Sequence, residues 1–300
     1  MHDKAIAATA FFALITPSFA YAAKPPLQLK PTSAWQVDYA NDHCRLARQF
    51  GEGDDVVHAT FDRYGPGEYF RLTLAGNPMR TAVQKADATV QFGPVEKEQQ
   101  LYFFNGYLGK MPALVFASGA RVAPPSDSEL LAIQNRGKDD EWIELAQISE
   151  ERHKAIKYLT VGKPLRRAVT LETGSMRKPF AAMDSCIDNL VASWGVDVEK
   201  HKSLSRSVVP KQSPGRWIVS SDYPLDMLSV GQPAIVEFRL SVGADGMPTA
   251  CHIQSTTRPK EFDDAVCRSV MRRARFEPAL DAEGKPLASY YRNTVRFQLP

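Results

Sequence analysis

The chain lacks the short patterns that mark the commoner enzyme classes. It has no G-x-S-x-G, no H-E-x-x-H and no Gly-rich loop of the phosphate-cradling kind. Its six histidines are scattered, and no C-x₂-C or H-x₃-H element is present, which argues against the usual zinc sites. The net charge is only +3, from 37 basic and 34 acidic residues, too small to argue for a nucleic-acid partner. No apolar run of about 20 residues lies beyond the N-terminus, so no later segment is expected to span a membrane as a helix. Catalysis, cofactor and metal are therefore not expected.

Ser175-x-x-Lys178 matches the S-x-x-K of penicillin-binding enzymes, but Pro179 follows at once and no K-T-G partner exists. It reads as the lead into a helix. Asp54-Asp55 and Asp139-Asp140-Glu141 lack the alternating oxygen-ligand spacing of a calcium loop and read as solvated. His43 reads as the surface neighbour of a cystine. Arg272, Arg273 and Arg275 suit the negative end of a helix dipole, with a basic patch for an acidic peptide as the alternative.

The first residues are more informative. Lys4 precedes the apolar run Ala5 to Ile15, Pro17 breaks it, and Ala20-Tyr21-Ala22 is an A-x-A cleavage signal. Residues 1–22 are expected to be a cleaved secretory signal, giving a periplasmic chain; the alternative is a retained inner-membrane anchor. Residues 23–34 form a Pro-rich lead, expected to be extended and mobile.

Residues 35–198 read as one mostly antiparallel α+β domain. Strands are expected at Trp35–Tyr39, Val56–Tyr64, Glu68–Ala75, Ala88–Phe92 and Ala113–Ser118, with Asp42–Phe50 a short strand or turn. Helices are expected at Asp127–Asn135 and, exposed and charged, at Ile148–Tyr158. The clearest helix follows Pro179. Phe180, Met183, Ile187, Leu190, Val191 and Trp194 keep helical spacing, and Gly195 ends it. Residues 199–216 are polar, without an apolar period, and read as a linker.

The segment 217–300 carries the strongest pattern. Val236, Phe238, Leu240 and Val242 alternate with Ile235, Glu237, Arg239 and Ser241, as in a strand with two faces. Asp245-Gly246 makes a hairpin turn. A second strand runs through Thr249, Cys251, Ile253 and Ser255. A helix covers roughly Glu261 to Arg275, and Tyr291, Asn293, Val295, Phe297 and Leu299 line one face of a last strand. The unit reads β-β-α-β, so the whole chain is α+β with two domains.

The order Tyr223-Pro224, Gly231, Asp245-Gly246, Ser255-Thr256, Asp263-Asp264-Ala265, Arg275-Phe276-Glu277-Pro278-Ala279, Gly284-Lys285-Pro286 and Phe297 resembles the C-terminal domain of the TonB family. These are periplasmic energy transducers of Gram-negative bacteria. The resemblance covers under a third of the chain. It departs from the family before that domain, where the long Pro-rich rod and membrane anchor are not found.

The resemblance implies a non-enzymatic partner-binding domain in TonB-dependent transmembrane transport. By it, Arg292, Asn293, Thr294, Val295, Arg296 and Phe297 would form a sheet edge that captures the TonB-box peptide of an outer-membrane receptor, with Tyr223 and Pro224 close by. Other envelope proteins, and inner-membrane motor subunits, are further partners in question. The alternative is a structural adaptor in which the same edge pairs two copies into a homodimer.

Export would make the four cysteines a disulfide question. A helix packed on the sheet would bring Cys251 and Cys267 close, leaving Cys44 to pair with Cys186.

Overall fold

The computed structural model describes residues 24–135, 145–256 and 259–298. The expected signal peptide, the acidic cluster Asp139-Asp140-Glu141 and Leu299 lie outside the described residues. The chain is α+β, mostly β with few helices, and its buried apolar residues form two clusters.

The first cluster fills a ten-stranded sheet. Its strands are β1 (Leu27–Leu29), β2 (Gln36–Tyr39), β3 (Cys44–Phe50), β4 (Val57–Arg63), β5 (Phe70–Ala75), β6 (Lys85–Gly93), β7 (Gln99–Leu108), β8 (Met111–Ala120), β9 (Tyr158–Val161) and β10 (Val169–Leu171). The order is β1-β10-β9-β6-β7-β8-β5-β4-β3-β2, antiparallel throughout except for β1 beside β10. The two edges belong to one stretch of chain. After β1, Pro31 bridges to Phe50, the Thr32 N–H donates to Gln49 O at 3.0 Å and the Gly51 N–H donates to Lys30 O at 2.8 Å. β2 then continues along β3. The pairings run in a ring, and a closed ring leaves no long edge to pair with another chain.

Alternation sends Leu46, Phe50, Phe61, Phe70, Phe92 and Phe103 inward, all fully buried. Between β8 and β9 lie the helices α1 (Asp127–Asn135) and α2 (Glu150–Ala155). α3 (Arg177–Ser193) packs along β2 and β3, and its Phe180 meets Phe61 at 6.1 Å and Phe70 at 6.0 Å between ring centroids. The helix stops at Trp194, where Gly195 takes φ +77°, a conformation costly for a side chain. A disulfide joins Cys44 on β3 to Cys186 on α3.

The residues expected to be a linker are folded. α4 (Val198–Lys202) follows α3, and β11 (Val209–Pro210) pairs with β14 (Phe276–Glu277). Val208 and Leu204 join the second apolar cluster. A two-residue strand carries no period by which it could be recognised in the sequence.

That second cluster sits under a three-stranded sheet of order β13-β12-β17. α5 (Leu225–Ser229) precedes β12 (Ala234–Val242), β13 (Pro248–Thr256) and α6 (Lys260–Arg273). After β14 come β15 (Ala279–Leu280), β16 (Pro286–Leu287) and β17 (Ser289–Phe297). The hairpin at Gly246 has φ +78°, and a Cβ there would lie 2.0 Å from the Phe276 carbonyl oxygen, so both turn and packing demand glycine. Val236, Phe238, Leu240 and Val242 face α6, whose Phe262, Ala265, Val266 and Val270 bury against them. Cys251 on β13 is bonded to Cys267 on α6.

Three further expectations are corrected. The Pro-rich lead is not a loose arm, because Leu27–Leu29 is built into the ring. The stretch 148–158 is only partly helical and not exposed throughout: Ile148 and His153 are buried, and Tyr158 already starts β9. α3 begins at Arg177, two residues before Pro179, so Lys178 stands in its first turn.

Candidate functional site

β17 is an edge strand. It pairs with β12 over nine residues without a register shift, and no described segment pairs with its outer side. β13, on the opposite edge, shifts register twice and starts with Pro248. Bulges and prolines discourage strand addition, so β17 is the edge better suited to accept one.

The expected binding residues divide between two faces. Val295 and Phe297 point to α6, and Phe297 packs on Phe262 at 4.8 Å. Arg292 and Arg296 point the other way, to the ring. Arg292 Nη2 donates to Pro66 O at 2.9 Å, and the Arg296 guanidinium lies over Phe104 at 5.5 Å and Tyr102 at 5.9 Å. What these residues share at the edge is their backbone.

The Thr294 N–H donates to Asn293 Oδ1 at 2.8 Å, and Asn293 Nδ2 donates to the Tyr291 hydroxyl at 3.0 Å. Ladder alternation then turns Thr294 away from β12. Its outward donor is held by a neighbouring side chain, which an incoming strand would displace.

Tyr223 stands at the end of this edge and has a structural task there. Its ring packs on Phe297 at 5.3 Å and Phe262 at 5.6 Å, and its hydroxyl donates to Gln232 O at 2.6 Å. The adjoining corner is tied by Asp222. It accepts from Arg273 Nη1 at 2.5 Å and from the Val219 N–H at 2.8 Å. Arg273 is thus committed to Asp222, while Arg275 falls just beyond α6. The bond from Arg273, foremost, holds the Asp222 carboxyl down at about 2.

A depressed carboxylate stabilises the fold above its unfolded pKa and ceases to do so as pH falls through the folded value. Acid unfolding should therefore steepen between about pH 4 and pH 2. In Asp222→Asn that component should vanish from a pH series of melting curves.

The face of the C-terminal sheet turned away from α6 is not solvated. Glu237, Arg239 and Gln254 are only 8%, 6% and 7% exposed. They lie against the outside of the ring. Arg71 on β5 forms an ion pair with Glu237, and its Nη1 donates to Ser255 Oγ at 3.1 Å. Gln254 Nε2 donates to Tyr64 O at 2.8 Å and to Asp42 O at 3.2 Å. Burial pushes the Glu237 carboxyl up, against the pull of Arg71, and pushes the Tyr64 hydroxyl up as well.

His43 is not a surface residue: it is half-buried beside the Tyr64 ring at 5.5 Å, and burial lowers its pKa. Sequence alternation separated the two faces of β12 but carried no sign that both are covered.

Ser175 and Lys178 border one groove with Trp35 and Arg48, and Ser175 Oγ accepts from the Arg177 N–H at 3.4 Å. Among the described residues no cluster of His, Cys, Asp or Glu is arranged to hold a metal, and no helix is long and apolar enough to cross a membrane.

Residues 219–299 match the family described as the Gram-negative bacterial TonB protein C-terminal. No curated protein matches the chain.

Proposed function

We propose, starting from the TonB-family C-terminal domain at residues 219–299, that this chain is a periplasmic binding protein of TonB-dependent transport. Its C-terminal sheet takes up the TonB-box peptide of an outer-membrane receptor as an added strand along β17. The observation that carries this reading is the regular ladder of β17, along whose outer side no described strand runs, on the edge opposite a bulged β13. Backbone hydrogen bonds would supply affinity and alternate side chains would set the preference. No covalent chemistry is involved. The N-terminal ring stands in the place of the rod and presents the domain, and the two cystines fit an exported chain.

The edge is tested with two substitutions and a synthetic TonB-box peptide. Thr294→Pro removes an outward donor without touching the ladder to β12, and should weaken binding at least about tenfold. Asn293→Ala frees the same donor and should tighten binding a few-fold. Peptide binding that ignores both substitutions would remove β17 from the reading. Sedimentation showing a dimer that Thr294→Pro dissolves, with no peptide binding at all, would assign the edge to a second copy instead.

A further inference from the structure

Buried charges are normally paired, because an ion removed from water loses hydration that only a counter-charge or full hydrogen bonding restores. Arg71 and Arg63 obey this rule, with Glu237 and Asp184 as partners, and Arg121, which makes no ion pair among the described residues, donates to the Ala146 carbonyl at 2.7 Å. Arg239 does not obey it. It is 6% exposed, and among the described residues it makes no ion pair. Its Nε has no hydrogen-bond partner, and its Nη1 reaches only Ser241 Oγ, at 3.3 Å. Asp42 acts on it from beyond ion-pair distance, and burial pulls the guanidinium pKa down.

This side chain lines a cavity of about 110 Å³ at the seam between the ring and the C-terminal sheet. Trp194 and Tyr290 form its aromatic walls, with the Arg239 guanidinium 4.5 Å from the Trp194 ring centroid. Ser241, Thr249 and Ser289 bring hydroxyls, and no lining residue carries a carboxylate. Ser241 Oγ accepts from Arg239, which leaves its proton to donate. The Ser289 hydroxyl donates to His201 Nε2 at 2.9 Å, since His201 Nδ1–H is directed at the Asp197 carbonyl at 3.0 Å, so its proton is committed there. The end of α3 offers Arg239 some negative potential, but a helix dipole amounts to about half a charge and is no hydrogen-bond partner for Nε.

We propose that this seam cavity is a binding site for a small oxyanion, of phosphate or carboxylate size, held by Arg239 and the Ser241 hydroxyl. The anion supplies the missing counter-charge. Because Trp194 belongs to the end of α3 and Arg239 to β12, an occupied site clamps the C-terminal sheet onto the ring. The site does not depend on peptide capture at β17, so either can fail alone.

The test is thermal unfolding of the full chain in phosphate, sulfate or acetate, against sodium chloride of equal ionic strength. A saturable rise in Tm is expected, since a ligand that binds only the folded state stabilises it by mass action. Arg239→Met should lose the rise or need at least about tenfold more anion, whereas Arg80→Gln, at an exposed position, should keep it. Should Arg239→Met fail to fold, Ser241→Ala decides: binding weakened about threefold or more supports the site, and unchanged binding overturns it. The absence of a rise up to about 50 mM of every anion, or an equal rise in Arg239→Met, also overturns it.

Discussion

Arg71→Ala is expected to destabilise the protein by about 3–5 kcal/mol, the usual cost of breaking a buried ion pair from one side. Arg71 and Glu237 are 13% and 10% exposed at their side chains. Removing the guanidinium leaves a carboxylate enclosed between two sheets, with Ser255 and the Tyr64 ring also losing their partner. Most of the loss is the price of the stranded charge. Arg71→Met combined with Glu237→Leu should therefore recover most of the stability, because an apolar pair of similar volume often matches or exceeds a buried ion pair.

The pH dependence separates this mechanism from simple loss of packing. Burial raises the Glu237 carboxyl and Arg71 opposes that rise. Without Arg71 the folded-state pKa climbs further above its unfolded value. A carboxylate raised in this way favours folding at low pH and costs stability as pH rises through the folded value. The Arg71→Ala deficit should then be largest at pH 8 and shrink toward pH 5. A deficit that does not vary with pH would mean that Glu237 is hydrated and the seam open.

Loss of the Cys44–Cys186 bond is expected to cost about 5 kcal/mol by the chain-entropy relation, since it closes a loop of 142 residues. The Cys251–Cys267 bond closes 16 and should be worth about 3 kcal/mol. Both Cys44 and Cys186 are buried, at 0% and 1% exposed, so Cys44→Ala with Cys186→Ala adds a small cavity between β3 and α3. Denaturant titrations of the two double-alanine variants should rank them in that order. Equal effects, or a larger one at Cys251–Cys267, would show that α3 is held to the ring by its apolar stripe alone. Native-chain mass lighter by about four hydrogens than the reduced form would report both bonds.

The C-terminal unit was legible because its signals are local. The alternation of β12, the Asp245-Gly246 turn and the stripe of α6 each fall within a dozen residues; a helix laid on that sheet pairs Cys251 with Cys267 and leaves Cys44 for Cys186. The ring was legible only in part. β7 was missed because its outward Tyr102 and Phe104 are as apolar as its inward Phe103, which erases a period of two. They are apolar because Arg296 covers them from the other sheet. Closure through Pro31 and Phe50 rests on pairs far apart in sequence, for which composition carries no sign. The role of Glu237 and Arg239 was hidden for a related reason. A charged residue at every second position reads as a wet face, and only the second sheet shows that it is dry.

The most direct measurement is backbone amide exchange of the full chain, with and without a synthetic TonB-box peptide. Strand addition at β17 predicts slowed exchange within residues 289–297, centred on the Thr294 amide, with the ring strands unchanged. Peptide bound at saturation with 289–297 unaltered, or protection confined to the ring, would contradict it.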